Sequence, residues 1–295
     1  ANAGLSETRL KRLANVKTAF CQLLLAQQEE SMAKHNLETI EGVAKIVRAR
    51  VKSGEAPQFE AIKADVEVLK AKQHVARAEK AVRVSRVIVD TYAGGALGPL
   101  YAVHGEFAVM PPSLKLENLA ARAAAEHPTV ERLHRSVEQA DWKVEFERES
   151  RVPSVTMHGS YWREIGREAV QGGLSIPTPI WYRRQGEIAS ALGGKRREEA
   201  ELLKTRQELT KAVHQHYQDA RTTAELIEVF EKGLLRQAQE ALRLAQFSFQ
   251  QGASSLLEVL DAQRVQREVL LEYAQARFQL AVSLAQLERS VGQAL

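Results

Sequence analysis

Two short glycine turns, each set between long helix-forming segments, constrain this chain more than any other feature. One lies in residues 249–262 (FQQGASSLLEVLDA), where Gly252 can take φ > 0 without steric cost and so close a tight helix–helix turn. The other lies in residues 50–64 (RVKSGEAPQFEAIKA), around Gly54. Gly54 and Gly252 are 198 positions apart (252 minus 54), and the same offset pairs Glu60 with Glu258, Ala64 with Ala262 and Gly94 with Gly292. A chain doubled in this way reads as two copies of one helical hairpin, each with its own acidic tip. At the second tip Glu258 and Asp261 stand three apart, on neighbouring positions of one helical face.

Periodicity extends the hairpins. Residues 5–52 read as one helix, with Leu10, Leu13, Val16 and Phe20 spaced three and four apart. Residues 53–57 (SGEAP) end it, and Pro57 suits the first turn of a second helix that runs to about Thr91. Gly94, Gly95, Gly98 and Pro99 then break the pattern, and 96–112 are irregular. A third helix is expected over 113–149, capped by Ser113, striped by Leu116, Leu119 and Ala123, and interrupted at His127 and Pro128. From Arg184 to Gln250 the chain is helical again for roughly 100 Å, with Gly193 and Gly194 as its weak point. The return helix to about Ser290 carries a seam of Val269, Tyr273, Ala276, Leu280, Leu284 and Leu287.

Residues 153–181 depart from this pattern. They are rich in β-branched, aromatic and glycine residues, and Val155, Met157, Gly159 and Tyr161 alternate with Thr156, His158, Ser160 and Trp162. Two strands of about ten residues are expected, joined by a charged turn at 164–168. About 9–11 residues is also the length of a strand that crosses a bilayer in a β-barrel. Tyr161, Trp162, Trp181 and Tyr182 then fall where interfacial aromatics belong, at the strand ends; a small soluble hairpin is the plainer alternative.

Composition narrows the function. The net charge is only +4, and Lys and Arg are interleaved with Asp and Glu, so no nucleic-acid stripe exists. The single cysteine, Cys21, cannot form an internal disulfide and reads as a small buried residue. No apolar run approaches the ~18–20 residues of a membrane helix. The N-terminal ANAGLSETRLKR lacks the apolar core of a signal peptide, so none is expected in this chain. His214 and His216, two apart on a helix, do not share a face, and no metal site or cofactor is expected. GALG at 95–98 does not fit a phosphate loop, and no nucleophile–base arrangement is present; the chain does not read as an enzyme.

The second tip resembles the outer-membrane factor (TolC) family of efflux channels. The pattern is an aromatic, two residues, glycine, a polar stretch and an acidic LDA segment. Here these are Phe249, Gly252, Ser255, Leu256, Glu258, Val259, Leu260, Asp261 and Ala262, with Leu287, Glu288, Arg289, Ser290, Val291 and Gly292 closing the chain. Arg50, Gly54 and Glu60 match the first-repeat pattern. The run IPTPIWYRRQG at 176–186 is especially like the branch that exports heavy-metal cations.

The resemblance implies a mainly α fold: two long antiparallel helical hairpins forming a coiled-coil tunnel, and one β-hairpin for an outer-membrane barrel. It divides the chain into a first helical hairpin at 1–95, a connector and helix at 96–152, the β-hairpin at 153–181 and a second helical hairpin at 182–295. It also implies a homotrimer seated in outer-membrane lipid, with helices in the periplasm. That trimer would be a passive duct for small solutes or metal cations, joined through a periplasmic adaptor protein to an inner-membrane pump. Glu258, Asp261 and Glu60 would form the aperture, where three-fold symmetry turns each carboxylate into a ring that favours cations. Arg50, Ser53, Gly54, Glu55, Gln251, Gly252, Ala253 and Ser254 would meet the adaptor. The family often has arginine two residues after the tip glycine; Ser254 stands there, so no gating salt bridge is expected from that position. The internal offset would place the counterpart of the β-hairpin before Ala1. Three chains with one hairpin each would then give fewer strands than the ~8 of the smallest bacterial barrels. The alternative is a coiled-coil scaffold or periplasmic adaptor without a pore, although an adaptor would need β domains flanking a single hairpin.

Overall fold

The computed structural model describes residues 2–111, 114–152, 154–176 and 182–295. Helix α1 (Asn2–Lys52) and helix α2 (Gln58–Tyr92) form the first hairpin. Helices α3 (Leu116–Glu126) and α4 (Pro128–Glu149) follow an irregular connector. Strands β1 (Thr156–Glu164) and β2 (Arg167–Ser175) make a two-stranded antiparallel sheet. The second hairpin is α5 (Gln185–Val229), a π-helical turn (Phe230–Leu234) and α6 (Leu235–Gln250), with α7 (Leu256–Val291) returning.

Packing sets the four long elements side by side in the order α2, α1, α7, α5–α6. Leu23 and Ala26 of α1 bury against Val82 of α2, while Leu24 and Leu25 bury against Ala274 and Ala281 of α7. On the far side of α7, Leu280 and Leu284 close on Ala220 of α5. Alanines at these contacts let the helix axes approach closely, and leucines fill the space between turns. The connector lies along α1 and α7. Gln27 of α1 donates to the Val103 carbonyl (3.1 Å) and accepts from its N–H (3.0 Å), satisfying a backbone that has no ladder of its own, and Phe107 is buried beside them. Cys21 is half-buried next to this cluster, and burial pushes its thiol up while Lys17 acts the other way.

Three sequence expectations change. Gly193 and Gly194 do not interrupt α5: each costs about 1 kcal/mol in helix propensity relative to alanine, and α4 lies along the segment, with Asp141 accepting from Lys195 at 2.7 Å. The irregularity falls instead at Phe230–Leu234, where the Leu235 N–H reaches back to the Phe230 carbonyl. Buried Phe230 there packs on Tyr273 at a centroid distance of 5.9 Å. The third helix is interrupted at His127 and Pro128 as expected, but it begins at Leu116 with Lys115 at its N-cap rather than at 113; Ser113 lies outside the described residues. The strands are nine residues each and β2 stops at Ser175, so Tyr182 is not at a strand end, and Trp181 lies outside the described residues. Tyr182 instead precedes α5, where its hydroxyl donates to Glu187.

His127 joins the α3–α4 corner to the end of α7. Its Nδ1 accepts from the Thr129 N–H (3.1 Å), capping α4, so Nε2 carries the proton and donates to the Arg289 carbonyl (3.1 Å). Burial holds this imidazole below the usual histidine range, while the Arg289 carbonyl and Glu7 pull it upward. A folded-state pKa below the unfolded value near 6.5 means that the unfolded chain takes up the proton first as pH falls. The neutral cap therefore contributes fully above about pH 6.5, and its stabilisation is lost as pH drops toward the folded value. Burial also lowers His74 and His216, so the test is a comparison between proteins. His127→Ala should cost about 1–3 kcal/mol in urea unfolding at pH 7.5. His127→Asn, a neutral cap, should show a shallower fall in midpoint between pH 7 and pH 5 than the wild type.

Candidate aperture at the paired helix tips

Both tips close by the same backbone pattern at the same offset. At the first, Glu55 N–H reaches the Arg50 carbonyl (2.8 Å) and Gly54 N–H the Val51 carbonyl (3.1 Å). At the second, Ala253 N–H reaches the Ser248 carbonyl (2.8 Å) and Gly252 N–H the Phe249 carbonyl (3.0 Å). This paired arrangement ends a helix on a residue in the left-handed region, and Gly54 and Gly252 supply it with φ of 83° and 73°. Pro57 and Ser255, again equivalent under the offset, are the N-caps of the following helices.

The tips are fused into one unit. Val43, Ala44 and Val47 of α1 bury against Ala61, Ala64 and Val68 of α2, and in the same cluster against Phe249, Leu256 and Val259 of the second tip. Arg50 fastens this contact from outside. Its guanidinium lies 5.2 Å from the centroid of the Phe249 ring, its Nη1 donates to the Phe249 carbonyl at 3.4 Å, and its Nε stands 3.9 Å from Glu55. A residue expected to face a partner is thus turned inward. Ser53, Gly54, Glu55, Gln251, Gly252 and Ala253 are exposed on the outer surface of the turns, while Ser254 is half-buried and donates to the Ala245 carbonyl at 3.3 Å.

The three expected aperture carboxylates differ in surroundings. Glu60 is half-buried in the first turn of α2. Glu258 is exposed in the first turn of α7, where Ser255 caps its N–H (3.4 Å) and donates to its carboxylate (3.3 Å). Asp261 faces the groove between α2 and α7 instead, and Arg264 donates to it at 2.7 Å. Asp261 is the main influence holding that guanidinium above its ordinary range. The three-residue spacing of Arg264 from Asp261 is an ordinary helical ion-pair signal, and it is the feature of the sequence that points to this pair. Among the described residues, no group of three or more His, Cys, Asp or Glu is placed to hold a metal ion.

At the other end, the β-hairpin is two-faced. Paired positions Met157 and Leu174, Gly159 and Gly172, and Tyr161 and Val170 share one face. Thr156 and Ser175, His158 and Gly173, Ser160 and Gln171, and Trp162 and Ala169 share the other. Tyr161 and Trp162 therefore lie near the turn on opposite faces.

A family model described as outer membrane efflux protein matches residues 1–95 and 119–293. The cobalt-zinc-cadmium resistance protein CzcC of Cupriavidus metallidurans is 24% identical over 294 residues, covering 99% of this chain and 70% of that protein. The pyoverdine export outer membrane protein OpmQ of Pseudomonas aeruginosa is 23% identical over 296 residues, covering 96% of this chain and 60% of that protein. In a solved structure of CusC, described in terms of folding and transmembrane channel formation, the fold superposes with a TM-score of 0.84 at 15% identity, over 99% of this chain and 71% of that one. The chain belongs to the outer membrane efflux protein family. It is an efflux component of the outer membrane, with its long helices in the periplasm.

Replacing Arg50 by alanine should loosen the contact between the tips without unfolding the hairpins. Hydrogen exchange should quicken several-fold at Gly252 and Ala253, which corresponds to about 1 kcal/mol of local stability, and the global midpoint should move little.

Proposed function

We propose that this chain forms, with two further copies of itself, the exit duct of a tripartite efflux system. The long helices line a periplasmic tunnel, the β-hairpin contributes to a barrel, and the paired tips are the aperture that meets a periplasmic adaptor and, through it, an inner-membrane pump. The observation that carries this reading is the amount of apolar surface that one copy leaves uncovered in two ordered places. On α2, the outermost helix, Phe59, Ile62, Val66 and Leu69 recur at helical spacing and stand 69%, 56%, 44% and 66% exposed. On the hairpin, Met157, Tyr161, Val170 and Leu174 are all exposed on one face. A lone two-stranded hairpin is marginal in water, whereas one with an apolar and a polar face suits a barrel wall between lipid and lumen. The α2 stripe suits the flank of a second copy.

Metal cations are the proposed cargo. Similarity to CzcC over nearly the whole chain and the carboxylates Glu258 and Glu60 at the tips support this. Rings of carboxylates pass cations without holding them in a closed coordination shell.

Deleting the gene from its host should sensitise cells to cobalt, zinc or cadmium, and the intact wild-type gene should restore resistance. Ile62→Asp with Leu69→Asp should fail to restore it and should yield monomers in native mass spectrometry. Unchanged tolerance to all three cations on deletion would remove metals as cargo. Trimers that persist with both aspartates would contradict the role of α2.

A further inference from the structure

Glu258 and Asp261 are one turn apart in sequence, yet the fold gives them different electrostatic partners. Asp261 opens into a groove of about 320 Å³ between α2 and α7. The cations lining that groove, Lys63, Lys70, Arg264 and Arg267, outnumber its acids, Glu67 and Asp261, and Lys70 already pairs with Glu67 at 2.8 Å. Arg264 sits between two carboxylates, with Nη2 at 2.7 Å from Asp261 and Nη1 at 3.1 Å from Glu268 on the next turn. By contrast, the side-chain partner of Glu258 is the neutral Ser255 hydroxyl, and no cationic nitrogen lies within 4.0 Å of Glu258 among the described residues.

We propose that Arg264 is a specificity-determining residue of the aperture: it neutralises Asp261 inside the α2–α7 groove and leaves Glu258 as the carboxylate that passing ions meet. This rests on the aperture reading of the tips. Exposed pairs of this kind contribute little to folding. Their consequence is in the field instead: at distances approaching the Debye length, about 8 Å at physiological salt, a carboxylate paired at hydrogen-bond distance presents a dipole where a lone one presents a charge. Three-fold repetition would multiply that difference around a narrow opening. The Asp261–Arg264 pair then adds little cation preference, although the place of Asp261 in the sequence is as suggestive as that of Glu258.

The test is the reversal potential of the intact channel in planar bilayers under a potassium chloride gradient. Arg264→Gln should raise the cation-to-anion permeability ratio severalfold. Asp261→Asn alone leaves Arg264 without its nearer carboxylate and should lower the ratio, whereas Asp261→Asn together with Arg264→Gln removes both charges of the pair and should leave the ratio near the wild-type value. Glu258→Gln should lower the ratio in every background. If the double variant Asp261→Asn with Arg264→Gln lowers the ratio as much as Glu258→Gln, or if Arg264→Gln has no effect while Glu258→Gln does, the neutralising role is overturned and the aperture stands. If neither Glu258→Gln nor Arg264→Gln moves the ratio, the aperture reading itself fails.

Discussion

The structure depends on one helix being buried along two sides. Helix α1 lies between α2 and α7, and Leu23, Ala44 and Val47 along it are wholly buried. At about 1.5–3 kcal/mol for each fully buried aliphatic side chain larger than alanine, this seam is the main source of cohesion between the two hairpins. It also fixes register. Once Val43 and Val47 seat against both α2 and the second tip, the two glycine turns must end side by side.

That alignment gives a short sequence motif a structural role. Each turn alone is an ordinary helix terminus, in which glycine takes the left-handed conformation and the N-cap position of the next helix follows three residues later. Set together by α1 and fastened by Arg50 over Phe249, the turns become one end surface that carries Glu55, Glu60 and Glu258. The helices between are stiff, and their one irregular turn, Phe230–Leu234, is itself packed through Phe230 and Tyr273. The two ends are thus joined by helices packed along α1 and α7, while the α2 stripe and the hairpin face remain open to neighbours.

The helices were legible because their apolar residues recur at a single period over tens of residues, and the offset between Gly54 and Gly252 revealed the doubling. What was not legible depended on tertiary context. Gly193 and Gly194 look like a break in any local reading, yet α5 runs through them with α4 packed alongside. The π turn has no local signature, since Gly233 resembles any other helical glycine. The same limit applied at the tips. Spacing put Glu258 and Asp261 on one face, but the groove that separates them is made by α2, nearly 200 positions away. Arg50, exposed by any sequence measure, turned inward because the second tip lies against it.

The central claim is that the paired tips of several copies converge around one opening. The most direct measurement is pulsed electron–electron dipolar spectroscopy on the intact protein in lipid, with Cys21 replaced by serine and a single spin label at position 253. Convergence predicts a three-spin modulation depth and one short distance at the tips, with a longer distance when the label is moved to position 165 at the hairpin turn. A signal without dipolar modulation, or tips no closer than the hairpin turns, would contradict it.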